Sequence, residues 1–100
     1  MSGLDERERV IGELRRAMPE LRADHSVRSL SMFGSMARGE AGAGSDVDLL
    51  VEFERTPGLM AFVRLRDQLS DRLGVTVDLV IRSALKPRVA AGALRDEVPV

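Results

Sequence analysis

Three aspartates carry the chemistry this sequence offers: Asp46 and Asp48, two positions apart, and Asp78 further along. Asp48 and Asp78 each interrupt an apolar run, Val47-Asp48-Leu49-Leu50-Val51 and Val77-Asp78-Leu79-Val80. Side chains two apart on a strand leave from the same face, about 6 to 7 Å apart along the backbone, so Asp46 and Asp48 point the same way. If Asp78 lies on an adjacent strand it joins them, and carboxylates about 5 Å apart repel by roughly 3 kcal/mol per pair at an effective dielectric of about 20. A hard divalent cation offsets that repulsion, because magnesium takes oxygen ligands octahedrally and completes its shell with waters and substrate phosphates. Simpler roles stay open at this point. Asp46 can belong to a turn with Ser45, and Asp48 or Asp78 can be a buried aspartate paired with an arginine.

Upstream, Gly34-Ser35 closes a strand-like segment just before a short helix, where free backbone N–H groups and a hydroxyl can bind phosphate oxygens. A plain turn explains the same dipeptide when it is taken alone. Arg38 is a further phosphate contact by position, with a salt bridge to Glu40 or Glu52 as the alternative. His25, the only histidine, reads as an exposed loop residue with no role.

These residues must be positioned by a small set of elements. Ile11, Leu14, Met18 and Leu21 recur at three- and four-residue steps, the stripe of an amphipathic helix that Pro19 is expected to interrupt or restart. Val27 to Phe33 reads as a first strand, Ser35 to Glu40 as a short helix, and Ala41 to Ser45 as a mobile small-residue loop. Asp46 to Phe53 reads as a strand covered on both faces. Leu59 to Leu73 is a helix with Phe62, Leu65, Leu69 and Leu73 on one side and Gly74 as its stop. Val75 to Ile81 is a third strand, and a last helix opens at Pro87 ahead of Val89, Ala93 and Leu94. The order is αβαβαβα. The tail Val98-Pro99-Val100 either folds back on the core or offers a partner surface.

The 100 residues, 44% hydrophobic and 31% charged, suit one domain spanning 1–100. A net charge of -1 and a sequence pI of about 5.8 argue against stable nucleic-acid binding. With no cysteine, thiolate zinc sites, disulfides and thiol nucleophiles are excluded. Charged residues from Asp5 to Arg9 break any early apolar run, so no signal peptide or membrane span is expected and the cytoplasm is the expected location.

Gly34-Ser35, ten residues, then Asp46-Val47-Asp48 matches the signature of the nucleotidyltransferase superfamily that includes DNA polymerase beta. Phe33-Gly-Ser-Met-Ala-Arg-Gly-Glu40, Ser45-Asp-Val-Asp-Leu-Leu-Val51 and Val77-Asp78-Leu79-Val80, together with Leu85-Lys86-Pro87, resemble the small bacterial and archaeal minimal nucleotidyltransferases, the MNT family. That resemblance implies an α/β (α+β) nucleotidyltransferase fold, a three-stranded mixed β-sheet with flanking helices. It implies Asp46, Asp48 and Asp78 as catalytic, metal-binding carboxylates for magnesium or manganese, with Gly34 and Ser35 binding the triphosphate of ATP, to which Arg38 is an additional candidate contact.

Many members resemble antitoxins paired with a HEPN-domain RNase toxin from a neighbouring gene, and the resemblance implies transfer of AMP to a tyrosine of that partner. The sequence contains no tyrosine, so such an acceptor must come from another chain. Two other readings carry forward. One is a non-catalytic antitoxin that neutralises its toxin by complex formation, which the intact aspartates disfavour. The other is nucleotidyl transfer to a small molecule with the help of a partner subunit.

Overall fold

The long first helix, α1 (Gly3–His25), forms because Val10, Ile11, Leu14, Ala17, Met18 and Leu21 make one buried stripe on an otherwise charged surface. Asp5 and Glu6 in its first turn and Arg22 and His25 in its last complement the helix dipole. Pro19 does not interrupt it: the helix runs through as one piece. Pro19 and Arg15, whose carbonyl loses its partner, both lie on the exposed side, so water can take the freed acceptor while Met18 and Leu21 keep the packing. His25 ends this helix, half-buried, and its Nε2 meets Gln68 Oε1 at 2.7 Å. It is therefore a helix terminus bonded to a neighbouring helix and not a loop residue.

The structure is a computed structural model that describes residues 3–40, 45–85, 88, 91–92 and 95–100. Strand β1 (Val27–Phe33) leads into the single turn α2 (Gly34–Ala37), shorter than the span to Glu40 expected from sequence. Next come β2 (Val47–Phe53), α3 (Leu59–Leu73), β3 (Val77–Ile81), a 3₁₀ turn (Arg82–Ala84) and β4 (Val98–Pro99). The Ala41–Gly44 part of the expected loop lies outside the described residues, as do Pro87, Val89, Ala93 and Leu94 of the expected last helix. Arg88, Ala91, Gly92 and Arg95 of that segment are described, and helical.

The mixed sheet has four strands in the order β3-β2-β1-β4, not three. β2 runs antiparallel to β1 and parallel to β3, and β4 adds antiparallel to the other side of β1 through Ser31↔Pro99 and Met32↔Val98. A two-residue strand leaves no periodic signal. It forms because Val100 N–H donates to Leu30 O at 2.9 Å while Val98 and Val100 pack against the core. Pro99 is tolerated because an edge strand needs no donor on its outer side. The tail thus folds back.

Alternation along the strands divides the sheet. Leu30, Met32, Val47, Leu49, Val51, Val77 and Leu79 join the α1 stripe and Leu65, Leu69 and Leu73 of α3 in one buried cluster. The alternate β2 residues Asp48, Leu50 and Glu52 lie on the opposite face. Leu50 is buried there as well, so the two-sided reading of β2 holds at its centre. Farther along that face Arg82 lies 3.2 Å from Glu52 Oε1 and 2.6 Å from Glu97 Oε1, and Ser31 Oγ donates to Glu97 Oε2 at 3.1 Å. α3 ends at Gly74, whose left-handed φ of 71° suits glycine and whose N–H reaches Ser70 O at 2.8 Å. Arg72 ties α3 to Glu13 and Glu20 of α1.

Leu14 is fully buried at the middle of α1. Leu14→Ala is expected to cost about 2 to 5 kcal/mol, read as a lowered midpoint in urea unfolding. A change below about 0.5 kcal/mol, the range of surface substitutions, would show that α1 does not pack as described.

Candidate active site

Asp48 stands in cross-strand register with Phe33 of β1 on one side and with Asp78 of β3 on the other. Adjacent strands lie about 4.8 Å apart, so the parallel pairing sets the two carboxylates side by side on the face away from α1 and α3. Asp46 falls one residue before β2 instead of inside it. The strand begins at Val47 because its N–H is the first to find a ladder partner, Thr76 O, at 2.9 Å. Asp46 and Asp78 are exposed and Asp48 is half-buried.

The carboxylates feel one another. Burial raises the Asp48 pKa above the usual aspartate value, the charges of Asp78 and Asp46 raise it further, and Arg38 opposes them. Among the described residues no three acidic or histidine side chains are gathered as ligands of one ion. The donor set suits a hard cation nonetheless. Three carboxylates, two of them fixed in register and one on the adjoining loop, supply the oxygen ligands that magnesium or manganese takes, and the exposed Asp46 and Asp78 side chains are free to turn towards a shared ion.

Gly34 begins α2 with a φ of +75°, a conformation costly for a residue with a Cβ. A Cβ there would also collide with Asp48 Oδ2. Glycine therefore permits the turn and the close approach of that turn to the carboxylate. Phe33, the residue before the turn, makes no side-chain cap, which leaves first-turn N–H groups and the Ser35 hydroxyl beside the aspartates as donors for an anion. Buried Met36 and Ala37 anchor the turn below, and Arg7 Nη1 donates to Ala37 O at 3.1 Å.

Sequence reasoning placed Arg38 either on phosphate or on Glu40 or Glu52. It pairs with Glu40 at 3.0 Å, and also with Asp96 at 3.0 Å, while Glu52 pairs elsewhere. Nothing in the sequence signals a contact between positions 58 apart. Phe33 as the register partner of Asp48 was likewise invisible. On the β3 side of the site opens a cleft of 630 Å³, reaching Asp78 from the end of α3.

Comparison with known proteins identifies the family. A model of the nucleotidyltransferase domain matches residues 11–98. The protein adenylyltransferase MntA of Thermococcus cleftensis is 48% identical over 81 residues, which are 81% of this chain and 82% of that protein. A solved structure of a candidate minimal nucleotidyltransferase superposes with a TM-score of 0.73 at 39% identity, covering 100% of this chain and 97% of that one. A chain from the complex of tri-AMPylated HEPN toxin of Shewanella oneidensis with MNT antitoxin superposes with a TM-score of 0.61 over 97% of this chain and 70% of that one. At 20% identity that last likeness is one of fold.

Two expectations follow from the geometry. Gly34→Ala combines a strained φ with a clash against Asp48 and is expected to cost about 1 to 3 kcal/mol, together with loss of ATP binding in a calorimetric titration. Native-like affinity would show that the tight turn is dispensable. Asp48 has a folded-state pKa above its unfolded one, so the folded chain loses stability as pH rises from the ordinary carboxylate range through the raised value. Asp48→Asn is therefore expected to raise the melting temperature by a few degrees at pH 7 in metal-free buffer, with the gain vanishing at about pH 3. Identical melting at pH 7 would remove the repulsion from the account.

Proposed function

The chain belongs to the nucleotidyltransferase domain family and is a nucleotidyltransferase, and from that premise we propose that it transfers AMP from ATP to a tyrosine of a HEPN-type RNase partner, acting as that toxin's antitoxin. The observation that carries this reading is the register of Asp48 with both Asp78 and Phe33, which sets the carboxylates beside the Gly34 turn, whose N–H groups would take the phosphates. Support for the acceptor comes from the relatives: one is named a protein adenylyltransferase, and a structural neighbour is an MNT antitoxin complex with a tri-AMPylated HEPN toxin. The chain has no tyrosine of its own, so modification in trans fits.

In this reading Asp46, Asp48 and Asp78 hold magnesium or manganese. When bound, such an ion neutralises triphosphate charge and polarises the phosphorus under attack. Gly34 and Ser35 orient the phosphates through backbone N–H groups and the hydroxyl, holding the α-phosphorus in line with the incoming oxygen. The acceptor oxygen forms a bond to that phosphorus, the bond to the bridging oxygen breaks, and pyrophosphate leaves. The acceptor's proton passes to a carboxylate, and Asp78, exposed on the outermost strand, is placed to take it. Arg38 joins the phosphates only by giving up Glu40 and Asp96, a surface exchange of small cost. The chain acts as a single domain. No helix among its described residues is long and apolar enough to cross a membrane.

The test is co-expression with the product of the neighbouring gene, addition of ATP and magnesium, and intact mass measurement of the partner. The native chain is expected to add whole AMP units, and Asp46→Asn/Asp48→Asn to add none. A tight complex without any mass change would make the chain a binding antitoxin instead of a transferase.

A further inference from the structure

β3 is the outermost strand on its side of the sheet, and it carries Asp78. Val47 N–H donates to Thr76 O, so the backbone groups of Thr76, Asp78 and Val80 face β2. By the two-residue period of a strand, those of Val77, Leu79 and Ile81 face outward. Ser70 Oγ already accepts the Val77 N–H at 3.0 Å, which caps the edge at its start. Among the described residues no strand pairs with the remainder. Such an edge is a template for an added strand, with main-chain bonds giving affinity and alternate side chains giving specificity.

The cleft beside this edge has a sign. Asp67 and Asp71 of α3 line it one helical turn apart, Asp78 of β3 borders it, and the one guanidinium among its lining residues, Arg66, lies 3.2 Å from Asp67. The two helix carboxylates face a single cation that one of them already engages, so a segment carrying lysine or arginine is complementary.

Given the adenylyl-transfer reading above, on which this rests, we propose that the acceptor polypeptide presents an extended, basic segment that adds to the free edge of β3 along this cleft. The added strand would lie about 4.8 Å from β3. Its residue opposite Asp78 then shares the face of Asp48 and Asp78, so one residue of the segment is delivered to the carboxylates while its neighbours point to the other side. Substrate choice then lies in strand pairing and charge, and a site this small needs no enclosed acceptor pocket.

The experiment uses the full chain with the HEPN-type product of the neighbouring gene. Asp67→Arg/Asp71→Arg, on an exposed stretch of α3 outside the catalytic carboxylates, is expected to raise KM for the protein acceptor about tenfold or more with ATP affinity unchanged. Amide hydrogen exchange at Leu79 and Ile81 is expected to slow on addition of a partner whose acceptor tyrosine is replaced by phenylalanine. Transfer by the native chain, with an unaltered acceptor KM in the double variant and no protection of the β3 amides, overturns edge docking and leaves the adenylylation reading standing. Protection of those amides without any transfer upholds the docking edge and sinks the chemistry. A native chain that neither binds nor modifies the partner sinks both.

Discussion

The repulsion concentrated on Asp48 is the constraint around which this small domain is arranged. A half-buried carboxylate with Asp78 in register beside it and Asp46 close by costs stability in the absence of a counter-charge, as its raised pKa records. The fold has to hold the group there regardless. It does so by making β2 an inner strand, hydrogen-bonded to β1 on one edge and β3 on the other, with Val47, Leu49 and Val51 fully buried below. The apolar half of β2 stabilises what the acidic residue between its members destabilises, a division of labour that alternation along a strand makes possible.

The Gly34 turn depends on the same residue. Asp48 Oδ2 occupies the space into which a Cβ at position 34 would project, so glycine is dictated by the carboxylate as much as by its own positive φ. Below the turn, Met36 and Ala37 are buried and Arg7 grips the carbonyl of Ala37. A turn of four residues with no side-chain cap is thereby held against the sheet from beneath, with Gly34 and Ser35 half-buried. Rigidity comes from the core side and chemistry from the other, as a preorganised site requires.

Most of this was legible because strong periodicity survives in a short chain. β1 and α3 lie where alternation and the Leu65, Leu69, Leu73 stripe put them, and Gly74 stops α3 as a left-handed cap. Departures arise where tertiary contacts outweigh local signals. Pro19 sits on the wet side of a helix whose other side is anchored, so its local cost does not break the element. Asp46 reads as part of a strand, yet the ladder starts only where Thr76 supplies an acceptor. β4 exists through pairing with distant Ser31 and Met32. Three aspartates, Gly34 and Ser35 could be picked out by type and spacing. The engagement of Arg38 by Asp96 could not, because no local rule links those positions.

The placement of β4 bears on how the chain reaches this structure. Ser31 and Glu97, which meet beside it, are 66 positions apart, while β1 and β2 are near in sequence and β3 follows β2 through one helix. Loop-closure entropy favours the nearer pairings early and leaves the β4 contacts to condense late in folding. Elements made last and held by few bonds are among the first to open in the native state. Asp96, which holds Arg38, stands just ahead of β4. Arg38, near the carboxylates, is thus coupled to the most easily melted margin of the sheet, and a transient fraying of that margin would leave the guanidinium held by Glu40 alone while the carboxylate centre stays folded.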